Sequence, residues 1–244
     1  MTTQKQKTNK PTGFILSEFR SPIDGNLCTA ILTLKSSNRK TGNMAQVWIL
    51  RQDINPVDAI ATGDDESICG NCSHRKNDQG ERSCYVNVGQ SPNSIWKAYK
   101  RGIYPHMTED VDRFAKAVEG RSIRWGAYGD PAIIPPGVFT WVMAQKIKNH
   151  TGYTHQWRQP FAEFYKGFFQ ASCDGLQDYL DATAHGWKTF AVAPVGSTLP
   201  GKLCPATAEN SQAECITCRL CDGAKQNIFV EAHGTGKKYI KGAN

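Results

Sequence analysis

Between residues 94 and 193 the chain alternates helix-like and strand-like patterning without a break. Residues 94–101 and 108–118 read as helices, the second opening on Thr108 with acids in its first turn. Residues 121–128 read as a strand that runs into Gly129-Asp130-Pro131, and residues 136–149 as a helix. Residues 153–157 read as a strand, 163–166 as a turn, and 168–173 as a strand ending at Asp174-Gly175. A helix over 176–185 and a strand over 188–193, stopped by Pro194, complete the series. Strands spaced this way by helices pair in parallel, because a parallel neighbour needs a crossover of about a dozen residues or more. The expected fold is therefore α/β: a small or incomplete (β/α) barrel of the TIM type, with an open doubly wound sheet as the alternative. No phosphate-cradling glycine fingerprint follows any strand, which weighs against a nucleotide-binding open sheet.

The front of the chain has a different character. Residues 1–12, MTTQKQKTNKPT, are polar and basic without periodicity, as a disordered tail would be. Strand-like runs at 27–34 and 45–51 flank the turn-rich KSSNRKTGN, so an N-terminal β-hairpin is expected. Lys35, Arg39 and Lys40 lie near its tip, where they meet either a nucleic-acid backbone or solvent. Residues 13–244 are expected to form one catalytic domain, a length ample for a hydrophobic core. No apolar run approaches the ~18 residues of a membrane span, and nothing resembles a signal peptide. The expectation is a reducing cytoplasm, no membrane contact, and thiols left unpaired as ligands.

Six of the nine cysteines fall in two clusters. Cys69, Cys72 and Cys84 form Cys-x2-Cys-x11-Cys inside the polar stretch 53–94; Cys215, Cys218 and Cys221 form Cys-x2-Cys-x2-Cys. Spacings of this kind place thiolates around one ion, so metal-binding segments are expected at 69–84 and 204–233. An unstructured loop of about 40 residues is improbable unless something ties it down, and a metal on the first cluster would do so. His74 is a candidate fourth ligand there. For the second cluster His233 is favoured as the fourth ligand and Cys204 competes; three thiolates and an imidazole make a closed zinc set. Cys28 and Cys173 are read as core residues.

Two acids stand at the C-terminal ends of expected parallel strands, Asp130 in GAYGDPA and Asp174 in ASCDG. Reactive groups of βα barrels project from that edge, and each acid adjoins a glycine that leaves room for a ligand. Each also fits a turn or helix cap. Two carboxylates facing one pocket can divide nucleophilic and proton-transfer roles at a glycosidic carbon. Trp125, Tyr128, Gly129 and His155 are the candidate substrate contacts, with Tyr153 and Trp157 nearby. Flat rings of this kind stack on an extruded base. An excess of 29 Lys and Arg over 22 Asp and Glu, a net +7, suits a polyanionic partner such as DNA.

With the βα rhythm, the two strand-end acids and the Cys-x2-Cys-x2-Cys…His run, the chain resembles phage DpdA-type DNA–guanine transglycosylases, shortened relatives of the tRNA–guanine enzymes. The resemblance implies exchange of guanine in phage DNA for a 7-deazaguanine base, protecting that DNA from host restriction. It implies Asp130 and Asp174 as the catalytic pair, and structural zinc on Cys215, Cys218, Cys221 and His233. The chain departs from the tRNA enzymes in its length and in its extra Cys69/Cys72/Cys84 cluster. A second resemblance competes. A cysteine cluster after the first long strand, then Gly-Asp-Pro, then a strand ending in Ser-Cys-Asp-Gly is similar to a radical S-adenosylmethionine barrel. That likeness implies a [4Fe–4S] cluster on the first thiols and an auxiliary one on the last, although Cys-x2-Cys-x11-Cys departs from that family's usual Cys-x3-Cys-x2-Cys loop. A non-catalytic zinc protein binding DNA is the third possibility.

Overall fold

A computed structural model of the chain describes residues 10–194, 196–207 and 211–232. Most of the expected basic tail, and His233, lie outside the described residues.

The chain opens with an antiparallel meander. Strand β1 (Gly13–Arg20) pairs with β2 (Leu27–Thr33), and β2 pairs with β3 (Ala45–Arg51). From β3 onward every pairing is parallel. Strand β4 (Ser122–Tyr128) lies between β3 and β5 (Asn149–Thr151), giving a first sheet of order β1-β2-β3-β4-β5. The second sheet is built from β6 (Tyr153–Thr154), β7 (Gln170–Cys173), β8 (Thr189–Ala193), β9 (Lys202–Leu203) and β10 (Ile228–Glu231). Its order is β6-β7-β8-β10-β9. Gly152 alone separates β5 from β6, so the edge of one sheet leads directly into the edge of the other. An added Cβ there would run into the Phe169 ring, which is why the junction carries glycine.

The mixed α/β class and the parallel pairing agree with the sequence. A closed barrel does not form: among the described residues β1 and β9 end the two sheets and do not pair with each other. One hydrophobic cluster joins strands of both sheets to the covering helices, with Trp125, Phe139, Tyr165 and Phe169 at its centre. Phe139 comes from α5 (Pro136–Met143), and its ring meets those of Trp125, Tyr165 and Phe169 at 5.0–5.3 Å. No described helix is long and apolar enough to cross a membrane.

Several boundaries moved. The helix expected from Thr108 begins at Val111, because the Asp110 carboxylate accepts the Arg113 N–H and caps α4 (Val111–Val118). The helix expected to reach residue 149 ends at Met143. Lys146 turns into left-handed backbone, and Asn149–Thr151 leave to pair with β4. The polar stretch 53–94 is also more ordered than a metal-tied loop. It contains α1 (Pro56–Thr62), capped by Asn55, then α2 (Glu66–Cys69), and the start of α3 (Ser91–Lys100). The Arg75 guanidinium donates to Asp65 and to the carbonyls of Gly63 and Gly70, and so laces this segment to itself.

Candidate functional site

The segment that follows β3, the first strand of the parallel series, brings the first three thiols to one place. Cys69 ends α2, and the Cys72 N–H donates to the Cys69 carbonyl at 3.3 Å, a tight turn. The Cys84 N–H donates to the His74 carbonyl at 3.1 Å and folds the far end of the segment back. Gly70 sits at φ 56°, and the space a side chain would take is occupied by Gln156, whose Nε2 donates to the Cys69 carbonyl. Burial and then the neighbouring Cys72, Asp65 and Cys84 push the Cys69 thiol well above its ordinary range. Thiols this close and this dry ionise together only if a cation stands among them.

All three thiols line a cavity of about 970 Å³. The end of β4 forms an adjoining wall. Gln46 pairs with Arg124 but Trp48 pairs with Tyr128, so β4 bulges at Gly126, whose φ is 69°. Gly129 follows at φ 77°, tight against Ile49. Arg124, Gly126, Tyr128, Gly129 and Asp130 line the cavity, as does His155 from beyond β6. Two buried polar atoms on these walls have no hydrogen-bond partner within the protein, Arg124 Nε and Tyr128 Oη. Buried polar groups are nearly always satisfied, so these two are the wall atoms with capacity left for a ligand.

Trp125 belongs elsewhere. It is fully buried and packs against Phe139 and Phe169. Alternation along the strand sends Arg124 into the cavity and Trp125 to the opposite side, so the expected substrate contact is a core residue. Cys28 and Cys173 are buried, as expected, and burial pushes the Cys28 thiol up to about 12.

The two acids have different surroundings. Asp130 is 6% exposed; its Oδ1 accepts the Ala132 N–H at 3.0 Å and its Oδ2 accepts the His155 N–H at 2.8 Å. Its own N–H donates to the Ile68 carbonyl at 2.7 Å. Burial pushes its carboxyl up, against the hydrogen bonds from Thr154, Ala132 and His155. Asp130 thus knots the end of β4 to α2 and to His155. Asp174 follows β7 and accepts from Ser73; its Oδ1 lies 2.9 Å from His74 Nε2 and 3.9 Å from His155 Nε2. Burial would raise its carboxyl, but the His155 and His74 imidazoles outweigh that and hold it far below the usual carboxylate range. Both acids therefore adjoin His155, but only Asp130 lines the large cavity.

His74, His155 and Asp174 offer donor atoms within 4.8 Å of one another, the one such set of three or more among the described residues. Two imidazoles and a carboxylate suit a non-haem ferrous ion. The short His74–Asp174 contact, the Ser73 donor and the His74 Nδ1–Ser83 Oγ contact at 2.7 Å also link these residues in a hydrogen-bonded chain. That chain presents His155 towards Cys72. Burial would lower the His155 imidazole, but Cys72 and Asp174 raise it well above its ordinary value.

The second thiol cluster lies beside the first cavity. Cys204, Cys215, Cys218 and Cys221 together line a small pocket of about 20 Å³, and Cys204 and Cys215 also reach the large cavity. Cys204, the competing candidate for the fourth ligand, thus stands with the other three thiols, while His233 lies outside the described residues.

Fold and site define an α/β protein with a thiol-walled cavity and a second thiol cluster at its rim. No protein-family model, curated protein or solved structure matches the chain.

Proposed function

We propose that the chain is an iron–sulfur enzyme of the radical S-adenosylmethionine type, acting on a nucleic acid. One observation carries the reading. Cys69, Cys72 and Cys84 converge after the first strand of the parallel series, on a cavity of about 970 Å³ whose wall also carries Arg124 Nε and Tyr128 Oη, buried without a hydrogen-bond partner. Three thiolates from one segment satisfy three corners of a four-iron cluster and leave the fourth open to the cavity.

Such a cluster, with S-adenosylmethionine, supplies radical chemistry when bound. The protein's share is positioning. Gly126 and Gly129 let β4 pack tightly against Pro131 and Ile49 at the cavity wall, and Tyr128 Oη has hydrogen-bonding capacity to offer a ligand. Arg124, Lys35 and Lys40 line the same cavity and suit phosphates, while Trp48 and Tyr85 offer ring faces to a base. The net charge of +7 has the sign a polyanion requires.

Base exchange on DNA is the second reading, favoured by an ionised Asp174 held between two imidazoles. It asks for two available carboxylates, and those of Asp130 already accept two backbone N–H groups. Reconstitution with iron and sulfide under anaerobic reducing conditions separates the readings. Reductive cleavage of S-adenosylmethionine, lost in Cys69→Ala, supports the first. Incorporation of labelled guanine or a 7-deazaguanine into DNA by iron-free protein, lost in Asp174→Ala, supports the second. DNA retention with neither activity leaves a zinc-binding DNA module.

A further inference from the structure

We infer that Cys204, Cys215, Cys218 and Cys221 form a separate, closed four-thiolate site for one divalent metal ion, zinc by its donor set, with Cys204 rather than His233 as the fourth ligand. The site is independent of the chemistry proposed for the first cluster.

Local structure assembles the four thiols. The Cys204 N–H donates to the Phe229 carbonyl at 2.9 Å, which extends the β9–β10 pairing by one residue and fixes where Cys204 stands. The single helical turn Cys215–Cys218 puts its two cysteines three residues apart, on one face. Arg219 then takes left-handed backbone at φ 57°, a conformation costly for a residue with a Cβ, and this reverses the chain so that Cys221 returns to the same pocket. Cys221 lies within electrostatic reach of Cys204, Cys215 and Cys218 at once. Four thiols are thus gathered without any contribution from beyond Ala232.

The four thiols line a pocket of about 20 Å³, room for roughly one water-sized particle and so for a single ion. No three of them lie within 4.8 Å of one another, so side-chain rotations must close them onto the metal. Tyr153, which lines the pocket, hydrogen-bonds to Cys221 as an outer partner.

The position gives the ion a purpose. The Cys215 N–H donates to the Lys40 carbonyl at 2.9 Å, and Arg39 donates to the Ser211 carbonyl at 3.3 Å. The metal would thus hold the C-terminal segment in the shape that these hydrogen bonds dock on the β2–β3 connection, where Cys204, Ala206, Thr207 and Cys215 wall one side of the large cavity.

Elemental analysis of the purified full-length protein tests this. About one zinc per chain is expected, retained when Cys69, Cys72 and Cys84 are all changed to Ser. Zinc should fall at least tenfold in occupancy in Cys204→Ser and stay in His233→Ala. Loss in His233→Ala with retention in Cys204→Ser overturns the assignment, and so does iron with sulfide persisting in the triple variant. Because Cys204→Ser risks misfolding, cobalt exchanged into the unaltered protein gives a second measure. Charge-transfer intensity of four thiolates is expected; a spectrum of three thiolates and one imidazole contradicts the proposal. Absence of iron at the first cluster leaves these outcomes unchanged, so the two proposals fail separately.

Discussion

The His155 N–H donates to Asp130 Oδ2 at 2.8 Å, tying the residue after β6 to the second residue after β4 across the junction of the two sheets. Asp130 Oδ1 accepts a second backbone N–H from Ala132, and the Asp130 N–H reaches the Ile68 carbonyl beside Cys69. The carboxylate is a structural knot from which the thiol segment and His155 both take their positions.

Asp130→Ala leaves two backbone N–H groups without their acceptor and should cost about 2–4 kcal/mol of stability. Urea unfolding of the metal-bound protein measures it. A nucleophile exposed for catalysis would behave oppositely, losing activity with stability nearly unchanged.

Gly129→Ala places a Cβ 2.8 Å from Ile49 Cβ and 3.0 Å from the Ile49 carbonyl, at φ 77°. Strain and crowding together should destabilise by about 2–4 kcal/mol. Gly25 has the same φ but nothing within 4 Å, so Gly25→Ala should cost only about 1–2 kcal/mol. The difference in denaturation midpoint between the two variants checks the crowding at the cavity wall.

Tyr128→Phe removes a buried hydroxyl that has no partner within the protein. The ligand-free protein should be as stable or slightly more stable, because an unsatisfied polar group is lost. Affinity for S-adenosylmethionine, measured by calorimetry, should drop roughly tenfold if that hydroxyl meets the ligand. Unchanged affinity removes Tyr128 from the site.

Stripping metal with a chelator should expose the thiols of both clusters to alkylation while leaving Cys28 and Cys173 protected. Those two are buried in the core, and burial pushes the Cys28 thiol up to about 12, far from its reactive thiolate form. Mass spectrometry of peptides after brief alkylation reads this. Modification of Cys28 at the rate of Cys218 would contradict the packing.

The parallel strands were legible because each is a short apolar run bounded by Gly, Pro or Asp, as buried strands are. Strand β1 was not read as one: a register shift between Ile15 and Ser17 interrupts the alternation that would have marked it. Helices α1 and α2, at seven and four residues, are too short for periodicity to register, although Asn55-Pro56 is a helix-start signal. At the site, cysteine spacing pointed to both thiol groups. It did not separate Tyr128 from Trp125, which lie three residues apart on a strand and so face opposite ways. Nor did it show that Asp130 serves backbone donors, because a cap and a catalytic acid look alike before Gly-Asp-Pro is folded.

The most direct measurement is iron and acid-labile sulfide in protein reconstituted anaerobically, compared with the Cys69→Ala, Cys72→Ala and Cys84→Ala variants. Roughly four iron and four sulfide per chain are expected, with brown colour, lost in each variant. Colourless protein that takes up no iron, or iron retained when all three thiols are gone, would contradict the account.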